Sequence, residues 1–243
     1  MPLRLRRNCV PATGPLLLAA LIVLQTGCRP VREVLPGVAA APPVTTEAPA
    51  GYHRYRVVAA ESELRVLVYR DGPMARLGHN HVLRSQALAG DIDLGGKGLD
   101  PRLSLAVPVA SFSVDDPRLR VEEGEDFPGA VEENAIAGTR KNLLSEALLD
   151  GARFPEIRLT SRKVTGTAPD YKMTVAVEVK GAIHELTVPV RVDQSADELR
   201  ATGTFTTTHA ALGLKPLTVL GGLLSVRNEI RLRFRIVARS SAT

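Results

Sequence analysis

The residues best suited to chemistry in this 243-residue chain are two histidines, His79 and His81, separated by a single asparagine. On an extended segment, side chains two positions apart project to the same side. Neutral imidazoles are common transition-metal ligands, so the spacing indicates either half of a metal site or a polar loop cluster. A third ligand would have to come from elsewhere in the chain, and the residues of suitable type include His53, His184, His209 and Glu61. Because two ligands do not make a metal site, we favour the loop cluster.

Other patterns associated with catalysis or ion binding are absent or incomplete. The acidic pair Asp115-Asp116 and the acidic run 122–126 lack the ligand spacing of an EF-hand, which predicts solvated loops. Lys97 lies in a glycine-rich stretch but is not followed by the serine or threonine that a phosphate-binding P-loop needs. The sequence contains no Gly-x-Ser-x-Gly elbow, and no cysteine follows Cys28. We therefore expect a non-catalytic protein without a cofactor.

The N-terminal segment has the organisation of an export signal. Three arginines within the first seven residues precede a nine-residue apolar run at 16–24. At 1.5 Å per residue this run spans about 13 Å, well short of the roughly 30 Å hydrocarbon core of a bilayer, so it does not predict a membrane-spanning helix. Gly27-Cys28 resembles a bacterial lipobox, in which the cysteine receives a diacylglyceryl group. We expect residues 1–27 to be a lipoprotein signal peptide; the alternative is an ordinary secretory signal with an incidental Cys28.

This expectation places the protein in the bacterial envelope. A lipidated Cys28 would anchor it to a membrane with its body facing the periplasm, and Arg29 favours the outer membrane over the inner. Residues 28–50 are rich in proline and alanine, which predicts an extended tether. The signal arginines supply most of the net charge of +5, so the mature chain is close to neutral and predicts no nucleic-acid partner.

Residues 51–239 are expected to form one folded unit, without a second linker or an internal repeat. Apolar and polar residues alternate in 64–68, 171–179 and 230–236, which predicts antiparallel strands with one apolar face. Turn residues separate these segments from further predicted strands at 53–58, 86–94, 102–110, 156–165, 185–192 and 199–208. Nine short strands predict an all-β sandwich or barrel.

One segment departs from this alternation. Between Val131 and Leu149 the apolar residues recur with helical spacing. Glu132 and Glu133 lie in the first turn, where carboxylates complement the helix dipole. Asp150-Gly151 provides an end. The sequence therefore predicts one helix inserted into the sheet, where it would cover an opening or an edge.

Four stretches resemble the YceI-like domain. The run from Arg140 to Ser161 (RKNLLSEALLDGARFPEIRLTS) resembles that domain's helix and the strand that follows it, and Phe154-Pro155-Glu156-Ile157 is its most specific part. Three further stretches fall in family order: LGHNH at 77–81, KGAIHELTVPV at 180–190 and HAALGLKPLTVLGGLLSVRNE at 209–229. The resemblance covers about residues 53–238.

This resemblance implies an extended, lipocalin-like antiparallel β-barrel of about eight strands, whose long apolar cavity holds a polyisoprenoid or another long-chain lipid. The composition agrees with this expectation. The chain has no tryptophan and only five phenylalanines, so its apolar residues are mostly aliphatic and could line a cavity for a hydrocarbon chain. The cavity or its mouth would be lined by His79, His81, Phe112, Phe154, Val175, Val177 and Phe234. Of these residues, Val175, Val177 and Phe234 lie mid-strand and are expected to point inward. The histidine pair is expected to contact the lipid head group.

Two other functions remain open. A metal-binding or metal-dependent protein would use His79 and His81 as ligands. A structural lipoprotein would have a barrel filled by side chains, because the same alternation of apolar residues also fits a solid core. We expect the lipid-binding protein, whose partners are a hydrophobic small molecule and, through Cys28, the membrane.

Overall fold

The computed structural model describes residues 48–96 and 99–240, which form twelve strands and two α-helices. The expected signal peptide and Cys28 lie outside these residues, as does nearly all of the tether. No helix in the described part is long and apolar enough to cross a membrane. The elements are β1 (Tyr52–Val57), β2 (Glu63–Asp71), β3 (His81–Ser85), β4 (Ala89–Gly95), β5 (Arg102–Pro108), β6 (Ser113–Val114), α1 (Pro117–Glu123), α2 (Glu133–Leu144), β7 (Glu156–Thr167), β8 (Asp170–Val179), β9 (Ala182–Gln194), β10 (Glu198–Thr208), β11 (Thr218–Val219) and β12 (Leu224–Ser240).

The sheet closes on itself. Strands pair antiparallel in the order β1-β4-β5-β7-β8-β9-β10-β12, and β12 pairs back to β1. β1 and β2 follow one another along β12, and two further pairs, β3 with β4 and β5 with β6, are continuous in the same way. Each of these pairs is one bent strand, so the architecture is an eight-stranded antiparallel meander closed into a barrel. The barrel predicted from the sequence is confirmed.

A serine hydroxyl lies at each of the three bends. Ser62, between β1 and β2, accepts a hydrogen bond from the Val237 amide at 3.0 Å and donates one to the Val58 carbonyl at 2.9 Å. Ser85 and Ser111 mark the second and third bends, and their hydroxyl oxygens are 2.7 Å apart. Ser62 and Ser85 are fully buried. Because the bends interrupt the hydrogen bonds of the sheet, these hydroxyls satisfy polar groups that would otherwise be buried without partners.

The sheet opens between β9 and β10. These strands pair only over residues 191–194 and 199–202, so the first part of β9 and the last part of β10 diverge. A short 3₁₀ turn at Ala210–Leu212 fills the opening. A Cβ on Gly213 would lie 2.5 Å from the imidazole of His184, which shows how closely this turn packs on β9. The barrel is therefore completed at this end by a turn instead of by strand pairing.

Helix α2 lies in the chain segment between β6 and β7, which do not pair with each other. Arg140 ties the helix to the barrel by donating hydrogen bonds to the carbonyls of Phe112 and Ala110. The predicted end at Asp150 is wrong. Helix α2 ends at Leu144, because Ser145 is extended and its hydroxyl donates a hydrogen bond to the Asn142 carbonyl, three residues earlier. The inserted helix itself is present, as the apolar spacing predicted.

Helix α1 was not predicted. The acidic run 122–126 was expected to be a solvated loop, which is wrong for Glu122 and Glu123 because they belong to α1. The Glu123 side chain is only 2% exposed and accepts hydrogen bonds from Arg65 at 3.0 Å and Arg233 at 3.1 Å. Beneath the helix, a small apolar cluster outside the barrel joins Leu67, Val82, Leu119 and Phe127. The helix forms because the barrel's outer face neutralises its acids and buries its apolar side.

Two glycines provide a matched test of the fold. Gly90 in β4 has a φ of +137°, and an added Cβ would lie 2.0 Å from the Ser104 carbonyl oxygen of β5. Gly138 in α2 has open space around it. We expect Gly90→Ala to lower the free energy of unfolding by more than about 2 kcal/mol, because both the backbone conformation and the pairing with β5 must change. Gly138→Ala should instead raise it by about 0.5–1 kcal/mol through helix propensity. Urea unfolding followed by circular dichroism measures both values, and equal effects would contradict this account.

Candidate functional site

Two apolar cavities lie inside the fold and share the side chains of Leu64 and Leu232. The first, which we call the barrel chamber, has a volume of about 190 Å³ and is enclosed by strands. The second, the helix chamber, has a volume of about 180 Å³ and lies between the barrel, α2 and the turn at 209–217. Because the two cavities share wall residues, they are neighbouring parts of one apolar interior.

The barrel chamber is lined almost entirely by aliphatic side chains. Val175 and Val177 of β8 and Phe234 of β12, three residues expected in the cavity, lie on its wall. The Phe234 ring packs over Gly203, where an added Cβ would lie 2.5 Å from the ring. The polar side chains that reach the chamber include Arg102 and Gln194, which stand at the start of β5 and the end of β9. In an antiparallel meander these two positions lie at the same end of the barrel.

The helix chamber lies towards the opposite end. Phe112, another residue expected in the cavity, is 3% exposed and lines this chamber. Among the described residues, the polar side chains that line it are His81, Thr139, Asn142 and His209. His81 begins β3 and His209 follows β10, so both stand where strands meet this end of the barrel. The interior is therefore a long apolar space with polar groups at its two ends.

The orientation of His81 is fixed by a buried ionic network. Its Nδ1 lies 2.6 Å from Oδ2 of Asp115, a carboxylate with no exposed surface. The other oxygen, Oδ1, accepts hydrogen bonds from the Val82 amide at 2.9 Å and from Arg120 at 2.8 Å. The Arg120 guanidinium also donates to the Asn80 carbonyl at 2.6 Å. Both Asp115 oxygens and all three Arg120 guanidinium nitrogens have partners, so the network can hold the imidazole in one position.

The same network perturbs the ionisation of Asp115. Burial alone would raise the pKa of this carboxyl, but the hydrogen bonds from His81, the Val82 amide and Arg120 outweigh it and hold the pKa below its ordinary range. The carboxylate is therefore ionised in the folded protein. Because the carboxylate oxygen beside His81 then only accepts hydrogen bonds, Nδ1 of His81 must be the donor.

His209 was named from the sequence only as a possible third metal ligand. It is 5% exposed, and its Nδ1 lies 3.0 Å from the Asn228 carbonyl oxygen. Its place in the same chamber as His81 depends on the meeting of two segments far apart in the chain. The signal that could have found it was the family stretch at 209–229, which begins with this residue.

Two of the residues expected at the site lie elsewhere. His79 precedes β3 and is exposed, with its ring centroid 6.4 Å from that of His81. It does not share the orientation of His81 because the extended segment begins only at His81. Phe154 packs on the turn between β8 and β9, where it contacts Gly181, instead of lining either chamber. Among residues 48–96 and 99–240, no group of three or more His, Cys, Asp and Glu side chains is placed to hold a metal ion.

A larger groove of about 550 Å³ lies over the outer faces of β9, β10 and β12. Its lining includes Arg65, Arg191 and Arg233, but each of these guanidiniums is paired with a carboxylate. Their charges are largely neutralised within the protein, and the groove is open to solvent. Its size therefore does not make it the better candidate site.

Comparisons with known proteins agree with this architecture. The model of the YceI-like domain matches residues 55–238. Among solved structures, BcnA of Burkholderia cenocepacia is similar with a TM-score of 0.52 and 16% identity, over 75% of this chain and 99% of BcnA. A mutant YceI protein of Campylobacter jejuni with a monobromobimane guest has a TM-score of 0.47 and 11% identity, over 65% of this chain and 84% of that protein. No curated protein matches the chain significantly.

A closed antiparallel barrel around an apolar interior defines a binding protein of the lipocalin-like class. The family match extends over most of the chain, and the protein belongs to the YceI-like family. Its fold is that of the lipid-binding barrels of this family. The likeness to BcnA, at low identity, supports the fold alone.

The buried carboxylate makes a prediction for stability and pH. Asp115→Asn leaves Arg120 buried without its counter-ion, so the free energy of unfolding at neutral pH should fall by about 3–5 kcal/mol. Because the folded pKa of Asp115 is lowered, its stabilising contribution is fully present above the unfolded value of about 3.9 and is lost as the pH falls through the folded value. The variant should therefore lose less stability than the wild type on acidification from about pH 5.

Asp170→Asn is the matched control, because the Asp170–Arg191 pair is exposed and should contribute at most about 1 kcal/mol. Chemical unfolding at a series of pH values measures the two variants against the wild type. Similar losses in both variants would show that the buried network does not have the role assigned to it.

Proposed function

We propose that this protein is a non-catalytic envelope protein that holds a polyisoprenoid or another long-chain lipid. The acyl or prenyl chain occupies the barrel chamber and the helix chamber, and the head group lies beside His81. The observation that supports this most directly is that the aliphatic walls enclose unfilled space instead of packing against one another.

The size and chemistry of the interior support a lipid over a polar ligand. The two chambers, at about 190 and 180 Å³, together reach the range of roughly 300–1,000 Å³ that is typical of ligand pockets. Valine and leucine side chains dominate both walls, and such walls offer a flexible hydrocarbon chain many contacts and few hydrogen-bond partners. A barrel filled by its own side chains would leave no such volume.

The metal alternative has weaker support. His81 directs Nδ1 to Asp115, and His79 lies outside the chambers. Family membership also favours a binding barrel over an enzyme. We therefore place the function in the chambers and not at the histidine pair.

The proposed location is the bacterial envelope, with a lipid anchor on Cys28 and the body in the periplasm. The support comes from the basic start, the short apolar run and the Gly27-Cys28 sequence. The tether at 28–50 would give the barrel reach from the membrane surface, here the outer membrane.

Enlarging a side chain on the chamber wall tests the proposed function. Val177→Phe should leave the melting temperature nearly unchanged, because the added ring enters open space, and should lower the affinity for long isoprenoids by shortening the space available to them. Val82→Phe is the matched control. Val82 is fully buried in the packed cluster beneath α1, so the same enlargement there should cost about 1–3 kcal/mol.

Thermal unfolding by circular dichroism and native mass spectrometry with a long polyprenol provide the two measurements. A large loss of stability in Val177→Phe without any change in polyprenol binding would mean that the barrel is packed, and the lipid-binding proposal would be wrong. Bound metal in place of lipid in protein purified from envelopes would favour the metal alternative.

The anchor is tested by Cys28→Ser. Stable membrane attachment needs more than one acyl chain, and a lipidated cysteine would supply them. The variant should move from the membrane fraction to the soluble envelope fraction or accumulate as an uncleaved precursor. Cys9→Ser changes the other cysteine of the chain and should leave the distribution unchanged. Wild-type protein found entirely in the soluble fraction would contradict the lipoprotein assignment.

A further inference from the structure

Four large apolar side chains are exposed together at the helix-chamber end of the barrel. Seven such side chains are exposed in the described part of the chain, and four of them belong to two neighbouring segments: Leu77, Val219, Leu220 and Leu223. Their exposed fractions lie between 40% and 60%. We call these four residues the hairpin patch. Clustered apolar groups in water are unfavourable, and such a cluster is typical of a surface that contacts a partner or a membrane.

Hydrogen bonds bring the two segments of the hairpin patch together. β11 and the start of β12 form a tight hairpin, in which Val219 pairs with Leu224. The Leu223 carbonyl at the tip of the hairpin accepts a hydrogen bond from the Met74 amide at 2.9 Å. Met74 directly precedes the short 3₁₀ turn that carries Leu77. The four apolar residues are therefore neighbours on one surface.

The tip of the hairpin stands in open space. An added Cβ on Gly221 or Gly222 would meet no atom within 4 Å. Leu220 has a φ of +52°, a left-handed conformation that leucine rarely adopts and that glycine or asparagine would fit better. Because its side chain is also mostly exposed, Leu220 adds little to the packing of the barrel. The fold alone does not account for a leucine at this position.

Basic residues surround the hairpin patch. Arg76 adjoins Leu77 in the 3₁₀ turn, Lys215 lies three residues before β11, and Arg70 and Arg227 lie at the base of the hairpin. All four cations are exposed, and within residues 48–96 and 99–240 none of them forms an ion pair with a carboxylate. The arginines of the outer groove, by contrast, are each paired with an acid.

Acidic residues are sparse around the same surface. The segments 72–81 and 209–228 contain neither aspartate nor glutamate. Asp71 ends β2 beside the hairpin, and the Asp126 carbonyl accepts a hydrogen bond from the Asn80 side chain. Cations therefore outnumber carboxylates around the patch. An apolar tip with basic residues around it is complementary to the acyl chains and phosphates of an anionic lipid surface.

From this arrangement we infer that the hairpin patch docks the barrel onto an anionic bilayer, with the apolar tip between the lipid head groups and the cations beside the lipid phosphates. This contact goes beyond the proposed function, because it is additional to the anchor on Cys28 and does not depend on what the interior holds. Lys and Arg suit the role because their apolar stems can lie along a leucine while their charged ends stay in water. Leu217 and Val226, at the base of the hairpin, line the helix chamber, so docking brings that chamber to the membrane.

A bilayer fits this surface better than a second copy of the chain does. A stable protein–protein interface buries about 800 Å² on each partner through roughly 20–30 residues. The hairpin patch offers four side chains that are about half exposed. A symmetric dimer through the patch would also bring the same cations of both copies together. Insertion of the tip between lipids requires neither a large area nor a complementary protein shape.

The fluorescence of a single tryptophan tests the docking, because the chain has no tryptophan of its own. Leu220→Trp places this reporter at the tip of the hairpin. Val121→Trp is the matched control, because Val121 is 82% exposed and lies on α1, outside the patch. The full-length protein, taken from the cell fraction that contains it, is mixed with vesicles of phosphatidylcholine that contain about 30% phosphatidylglycerol. Leu223→Trp carries the reporter if Leu220→Trp does not fold.

The two reporters should respond differently to the vesicles. The emission maximum of Leu220→Trp should move about 10 nm to shorter wavelength, and brominated acyl chains should quench its emission about twofold, because the indole enters the apolar interface. Val121→Trp should show neither effect, since its side chain stays in water.

Removal of charge tests the role of the cations. In the Leu220→Trp protein, Arg76→Gln together with Lys215→Gln should reduce the quenching by about half, because each cation near an anionic surface strengthens binding. The matched control is Arg162→Gln together with Lys163→Gln. These two cations are exposed on β7 and also lack an ion pair in the described part of the chain, and their removal should leave the quenching unchanged.

Each outcome decides for or against the docking surface. A response confined to Leu220→Trp and weakened by the loss of Arg76 and Lys215 supports it. Equal quenching of both reporters, quenching that does not depend on these cations, or no response to vesicles overturns it. A shift that appears without vesicles and grows with protein concentration would assign the patch to a second copy and would also overturn it. Polyprenol binding and cell fractionation measure the proposed lipid cargo and the Cys28 anchor separately, so failure of the docking surface is distinguishable from failure of either.

Discussion

The closure of this barrel depends on the buried hydroxyl of Ser62. A strand that bends through a sheet must leave some backbone groups without ladder partners, and inside a protein each such group is costly. Ser62 takes over both roles at the bend, since it accepts from Val237 and donates to Val58. On the two sides of this bend, β1 and β2 pair with successive stretches of β12. Ser85 and Ser111 continue this line of bends across the next two strands.

The sheet is incomplete at one end of the barrel. β9 and β10 diverge beyond residue 202, and β6 does not reach β7, so the helix-chamber end of the barrel is walled by α2 and by the turn at 209–217. These segments supply His209, Thr139 and Asn142, which a continuous sheet would not bring together. A strand alternates inward and outward residues, whereas a turn can aim a polar group into an apolar space where it is needed. The polar side chains of the helix chamber therefore lie mainly where the sheet is incomplete.

The sequence predicted what depends on local periodicity. Alternation located β8 and β12, and helical spacing located α2, because each pattern is contained in one segment. It did not predict α1, since the acids near Glu123 look solvated until Arg65 and Arg233 from distant strands are placed beside them. The bends were missed for a similar reason, because a serine hydroxyl has many possible partners. The family resemblance supplied the barrel closure, which no local pattern contains.

The orientation of His81 depends on residues that lie far from it in the sequence. Its spacing from His79 suggested a metal pair, yet the backbone becomes extended only at His81, so the two rings do not act together. Its partner is Asp115, which follows β6 and reaches His81 because β6 pairs with β3. The carboxylate fixes the imidazole tautomer, Arg120 fixes the carboxylate, and the loop carbonyls fix Arg120. This network holds the imidazole in one orientation at the polar end of an otherwise apolar cavity, and a side chain ordered in advance loses little conformational freedom when a ligand binds.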